Sequence, residues 1–144
     1  MRKNLKFITT DEQIDYEDVK ILLHSYELTD LPVDKIKLAF QNSRYKVFIV
    51  DENNRVLGCG RALSDGVAHA EIYNIALNEK LHHQGLGGKM IQNLLKQAEG
   101  QIVTLYTAPW TTTWYESQGF KPLKTAMVRF REHELDWMVE NQFI

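Results

Sequence analysis

The stretch HHQGLGGKM, residues 82–90, packs three glycines into four positions behind two histidines and a glutamine. No other part of the chain is so biased. Its neighbours restrict what it can become. Upstream, VAHAEIYNIAL (67–77) has the period of a strand. Glu71, Tyr73, Ile75 and Leu77 alternate with Ala70, Ile72, Asn74 and Ala76, so the two sets are expected on opposite faces of a sheet. Downstream, Leu86, Met90, Ile91, Leu94, Leu95 and Ala98 mark an amphipathic helix stopped by Gly100. A glycine joint between strand and helix exposes backbone N–H groups that the first helical turn leaves without partners. Glycine lets an anion approach that backbone, and the helix dipole favours negative charge there. The physical reading is a phosphate cradle; the plainer one is a turn that lacks side chains.

Two familiar cradles do not fit. A Walker A loop needs G-x-x-x-x-G-K-[ST], and here Met90 follows Gly87-Gly88-Lys89. The dinucleotide fingerprint G-x-G-x-x-G has Met90 in place of its third glycine, and the strands before it read as antiparallel.

The rest of the chain reads as one α+β domain over 1–144. Residues 5–8 form a short strand. Thr10 with Gln13, or Thr9 with Glu12, fits a capping box ahead of a helix over 11–27, whose buried face is Val19, Leu22, Leu23 and Tyr26. A second helix spans 33–42. YKVFIV (45–50) and RVLGCGRAL (55–63) pair across the turn DENN, and a second turn, SDG, leads into the third strand of the meander. IVTLY (102–106) is a strand, Pro109 opens a helix running to Gln118, and FKPLKTAMVRF (120–130) reads as a closing strand pair. The tail keeps Trp137, Met138, Val139, Phe143 and Ile144, which need a surface to pack on, in this subunit or in a homodimer partner.

Composition narrows the classes. A net charge of −2 gives no bulk electrostatic case for nucleic acid or an anionic membrane as partner. One cysteine, Cys59, rules out an internal disulfide and reads as a small core residue. The five histidines show no metal-ligand spacing, so no metal is expected. The start, MRKNLKFITTDEQ, lacks the apolar run of a signal peptide, and no stretch is long enough to span a membrane, which suits the cytoplasm. Asp15, Glu17 and Asp18 read as a solvated helix face, and Trp110 and Trp114, four apart on one helix, as packing residues.

A third cradle does fit. His82-His83-Gln84-Gly85-Leu86-Gly87 resembles motif A of the GCN5-related N-acetyltransferase (GNAT) family, [QR]-x-x-G-x-[GA], with His82 departing at the first position. WYESQGF (114–120) resembles the family's FYEKLGF, and the order of elements matches over about residues 5–130. The resemblance implies a mostly antiparallel twisted sheet of about 6–7 strands flanked by about 4 helices, splayed between strands four and five. It implies acetyl-CoA as acetyl donor, its pyrophosphate held by Gln84, Gly85, Leu86, Gly87 and Gly88 with His82, His83 and Lys89 flanking. Backbone of Ile75, Ala76 and Leu77 would hold the pantetheine arm, with the Ile75 or Ala76 N–H as oxyanion donor.

The same resemblance assigns the proton transfers. Tyr115 occupies the tyrosine that protonates the departing sulfur in several members. Glu71, eleven residues before His82, matches the catalytic Glu of histone-acetylating members. His69 is its rival, and a water relay needs neither. An Asn usual seven residues before the tyrosine is here Ala108, its contact open to Thr107, Thr111 or Thr112. The acceptor implied is a small primary amine, with a peptide or protein Lys as second class. The acceptor pocket is expected near Ser25–Val33 and Lys121–Thr125. The alternative is a non-catalytic acyl-CoA-binding module, supported by Ala108, His82 and the apolar tail; another nucleotide-phosphate binder is the remaining rival.

Overall fold

A computed structural model describes residues 4–144; residues 1–3, the head of the stretch read above for a signal peptide, lie outside the described residues. The chain divides into two compact units, one ending at Leu105 and one spanning Tyr106–Ile144.

The first unit is built on a sheet of β1 (Lys6–Ile8), β2 (Tyr45–Val50), β3 (Val56–Ser64), β4 (His69–Leu77) and β5 (Ile102–Thr104), in that spatial order. Successive strands are antiparallel except β4 and β5, which run parallel. Helices α1 (Tyr16–Ser25) and α2 (Val33–Gln41) supply Val19, Leu23, Ile36 and Phe40 to one core, where they meet Phe48, Val50, Cys59 and Ala76 of the sheet. Phe40 stacks on Phe48 at 5.6 Å, and Tyr16 meets both rings edge-on. On the other face α3 (Leu86–Gln97) buries Met90, Ile91 and Leu94. Gly58 of β3 lets it come close, and Gly60 makes room for the Ile75 side chain of β4. A Cβ at Gly58 would lie 3.1 Å from Met90 Sδ, and one at Gly60 would lie 2.4 Å from Ile75 Cδ1.

The first helix is shorter than expected. It starts at Tyr16 because Asp15 is its N-cap, its carboxylate accepting from the Glu17 N–H at 2.9 Å. The Thr10 and Thr9 capping boxes do not form; residues 11–14 make a separate turn closed by Ile14 N–H to Asp11 O. Asp18 also corrects the reading of a solvated acidic face. It is only 7% exposed and accepts from Arg55 Nε at 3.0 Å and from the Val56 N–H at 3.1 Å. Periodicity placed Asp18 beside Val19 and Leu22 but carried no information about Arg55, 37 residues away.

The second unit holds a 3-10 turn (Pro109–Thr111), α4 (Thr112–Ser117), a 3-10 turn (Glu132–Glu134) and α5 (Leu135–Glu140). Residues 120–131 form no strand, so the described residues have five strands rather than six or seven, and five α-helices rather than four. FKPLKTAMVRF has the apolar and branched residues of a strand, but a strand exists only as a ladder with a neighbour, and Pro122 lacks one of the donors. Only part of the tail packs locally: Phe143 lies 5.6 Å from the Trp137 ring and 6.3 Å from that of Trp110, while Val139 and Ile144 are exposed. Trp110 is nonetheless 68% exposed, and it lies in the 3-10 turn rather than on one helix with Trp114. No helix among the described residues is long and apolar enough to cross a membrane.

Candidate active site

The two halves of β4 differ. Its first residues are paired on both sides, His69 with Ile102, Ala70 with Val103 and Glu71 with Thr104 on β5. β5 ends at Thr104, so no ladder joins Ile72–Leu77 to it. Glu71 stands half-buried at the last pair before this opening. With His69 it lines an open groove of about 530 Å³ that also takes in Leu63, Asp65 and Thr104.

A bulge then resets the strand. Arg61 opposes Tyr73 and Cys59 opposes Ala76, so Gly60 faces two residues, Asn74 and Ile75. Asn74 takes φ 59°, a left-handed conformation that asparagine tolerates better than most residues. Arg61 Nε donates to Asn74 Oδ1 at 2.7 Å, and the Arg61 guanidinium lies over the rings of Phe40 and Tyr73. The extra residue reverses the alternation. Ile75 and Leu77 turn toward Gly60 and Gly58 on the α3 side, while Tyr73 lies with Arg61 on the α1–α2 side. The expectation that Glu71, Tyr73, Ile75 and Leu77 share a face is therefore corrected. The Ala76 N–H is a hydrogen-bond neighbour of the buried Cys59 thiol, whose Sγ lies 3.5 Å from Asn74 O. Burial pushes that thiol up to about 12, so Cys59 stays protonated and serves the core.

The glycine loop begins where β4 ends. Asn78 caps a 3-10 turn (Glu79–Leu81), and buried Leu81 and Leu86 pin the two ends of the loop. Leu86 thus offers a ligand only its backbone. His83 and Gly85 both turn left-handed, at φ 64° and 76°. Gly85 is the N-cap of α3 and has no side chain to cap it; the first return bond runs from the Lys89 N–H to Gly85 O at 3.2 Å. The N–H groups of Leu86, Gly87 and Gly88 precede that bond. A Cβ at Gly85 would meet nothing within 4 Å, so the loop faces open space. Exposed His83 and Lys89 flank it, and Gln84 Nε2 donates back to Lys80 O at 3.2 Å. Open backbone donors at a helix N-terminus, beside the Lys89 ammonium, are what binding of an anion requires.

His82 faces elsewhere. Its Nε2 lies 2.9 Å from Leu77 O and 3.2 Å from the Tyr26 hydroxyl, which itself donates to Leu77 O at 2.6 Å. The Leu77 carbonyl is thereby engaged by two side chains of this chain. Tyr26, expected on the buried face of the first helix, is instead its C-cap and partly exposed; its contact with the loop has no trace in local sequence.

In the second unit Tyr115 lies on α4, half-buried, its ring edge-on to Trp114 at 4.8 Å and to Phe120 at 6.0 Å. Burial pushes its hydroxyl up to about 12. Thr107 and Thr111 bond one another at 2.6 Å, and Thr111 also donates to Ala108 O at 2.8 Å. Thr112 donates to Pro109 O, so all three threonines near Ala108 have internal partners.

The Acetyltransferase (GNAT) domain family matches residues 43–122, more than half of the chain. The chain belongs to the GNAT family. Among its relatives, an uncharacterized N-acetyltransferase, ycf52, of Pyropia yezoensis is 28% identical over 120 residues, 79% of this chain and 69% of that one. Its counterpart in Porphyra purpurea is 26% identical over the same shares. Solved structures share the fold at lower identity. A GNAT acetyltransferase of Streptococcus pneumoniae TIGR4 has a TM-score of 0.74 at 20% identity, covering 89% of this chain and 98% of that one. A glucosamine-6-phosphate N-acetyltransferase of Arabidopsis thaliana has a TM-score of 0.66 at 14% identity, covering 90% and 100%. This GNAT protein is an N-acetyltransferase, with the mixed α/β fold of its neighbours.

Proposed function

We propose that this GNAT enzyme takes its acetyl group from acetyl-CoA and passes it to the primary amine of a small molecule, by direct transfer in a ternary complex. The observation that carries the reading is one continuous feature. β4 loses its β5 partner after Glu71 and runs into a loop whose glycine N-cap faces open space. A thioester arm fits the first part and a pyrophosphate the second. Acetyl-CoA, when bound, supplies an activated acyl group and a sulfur leaving group.

The chain's own residues would do the rest. The N–H groups of Leu86, Gly87 and Gly88, with Gln84, Gly85, His83 and Lys89 around them, hold the pyrophosphate. Ile75 and Ala76 backbone binds the arm. Because the Ala76 N–H is turned to the Cys59 thiol, the Ile75 N–H is the better oxyanion donor. Glu71, at the fork of the strands and open to the groove, takes the proton of the attacking amine. Tyr115, held protonated through the neutral range, returns a proton to the sulfur. A homodimer and a cytoplasmic setting belong to the same reading.

The test is calorimetric titration with acetyl-CoA, with NAD and ATP as controls, followed by turnover on a panel of primary amines and a Lys peptide. Selective saturable binding at one site per chain is expected. Folded protein that ignores acetyl-CoA would overturn the reading. Turnover of the Lys peptide alone would move the acceptor to the second class.

A further inference from the structure

We infer that Tyr26 and His82 act as positioning residues, a latch that ties the end of α1 to the cofactor loop. This rests on the reading above, which makes residues 82–89 the cofactor loop. The latch closes on one atom. Leu77 O, at the last residue of β4, accepts from the Tyr26 hydroxyl at 2.6 Å and lies 2.9 Å from His82 Nε2. The two rings stack at an interplanar angle of 20°, their centroids 6.3 Å apart. His82 therefore folds back over its own connection to β4, and Tyr26 joins it from 51 residues away.

The chemistry of a carbonyl fixes the proton. Leu77 O only accepts, so His82 Nε2 must carry hydrogen. In the neutral ring Nδ1 is then a lone pair, which repels rather than binds a phosphate oxygen. At the motif position where a Gln or Arg stands in the resemblance, this chain's histidine braces the loop from behind. The segment beyond Tyr26 is itself organised. His24 Nε2 lies 2.8 Å from Leu31 O, the Leu28 N–H donates to Leu23 O at 3.0 Å, and the Leu31 N–H to Thr29 Oγ1 at 3.2 Å. Ordering the loop on a ligand thus orders residues 26–32 as well, and the reverse holds by linkage.

Three measurements test the latch. Long-range 1H–15N NMR of the free protein should show His82 as the Nε2–H tautomer, and Y26F should change its ring shifts; an Nδ1–H tautomer would overturn the latch outright. Coenzyme A titrated by calorimetry should bind about threefold to tenfold more weakly to Y26F and H82A. The double variant should be no weaker than the weaker single one, while additive losses would show two independent contacts. Coenzyme A should slow amide hydrogen exchange in residues 26–32 of the wild type and of H82Q, whose amide can still donate to Leu77 O, but not of H82A. Equal protection in all variants would reduce Tyr26 and His82 to ordinary surface contacts and overturn the proposal. If coenzyme A fails to bind the wild type, the cofactor reading falls, and the tautomer measurement still decides the latch.

Discussion

Gly58 and Gly60 lie in β3 under α3, while Gly85 opens the loop at the N-terminus of the same helix. The first two have no room. A side chain at Gly60 would come within 2.4 Å of Ile75 Cδ1, and one at Gly58 within 3.1 Å of Leu77 Cδ1 and Met90 Sδ. Gly85 has nothing within 4 Å, and its demand is conformational, with φ at 76°. Gly58 sets how close α3 sits on β3 and Gly60 makes room for the Ile75 side chain; the loop glycine leaves its backbone open to a ligand. One residue type thus serves packing at one end of the site and recognition at the other. Substitutions should separate folding defects from binding defects along that line.

The sharpest break is at Gly60. Gly60→Val should cost about 3 kcal/mol, because Ile75, already packed toward Leu94, has little space to yield. Chemical denaturation reads this directly, and acetyl-CoA affinity should fall only with the folded fraction. Tyr115→Phe lies on the opposite side of the comparison. It should lower kcat about 100-fold with the denaturation midpoint and acetyl-CoA affinity unchanged. The acid must be protonated, and its raised value of about 12 moves any loss with rising pH upward. The rate profile should thus show no fall from Tyr115 below about pH 10, the ordinary tyrosine value.

Gly85→Ala should cost about 1 kcal/mol in stability from the left-handed backbone, yet weaken acetyl-CoA about tenfold as the loop relaxes. Equal losses in both would erase the distinction between the two glycine sets. Gly58→Ala should cost about 1 kcal/mol, since Met90 and Leu77 can give more readily than the Ile49 Cβ at 3.3 Å.

The smallest effect tests a turn remote from both sets. Asp65 accepts from the N–H groups of Ala68, Val67 and His69, which hold its carboxyl down at about 2. A lowered folded value stabilises above the ordinary carboxylate range and is lost as pH falls through about 4 toward 2. The stability gap between wild type and Asp65→Asn should accordingly close over that window; a gap independent of pH would show that the carboxylate's charge is irrelevant.

Much of this was legible in the chain itself. The strand period of 67–77, the helical spacing from Leu86 to Ala98 and the glycines between them place the loop, because each is a local pattern with a local cause. The order of elements and the splay between β4 and β5 followed from the family resemblance. The bulge leaves one local mark, Asn74 in a run of strand formers. The start of the first helix is decided by Asp15, which caps it in place of Thr9 or Thr10. The acidic run around Asp18 carries no sign of its remote partner Arg55, and the apolar residues of 120–130 name no ladder partner.

By itself, then, the sequence determined that 67–77 holds a strand, that a helix follows from Leu86 and that a glycine turn joins them, since φ freedom, side-chain branching and apolar period act within a few residues. Only the tertiary structure decided which face Ile75 and Leu77 take, that Asp18 is buried, and that Tyr26 and His82 meet over Leu77 O. Those outcomes depend on register, on burial and on hydrogen-bond partners tens of residues away, and none of these is encoded in the neighbourhood of the residue it controls.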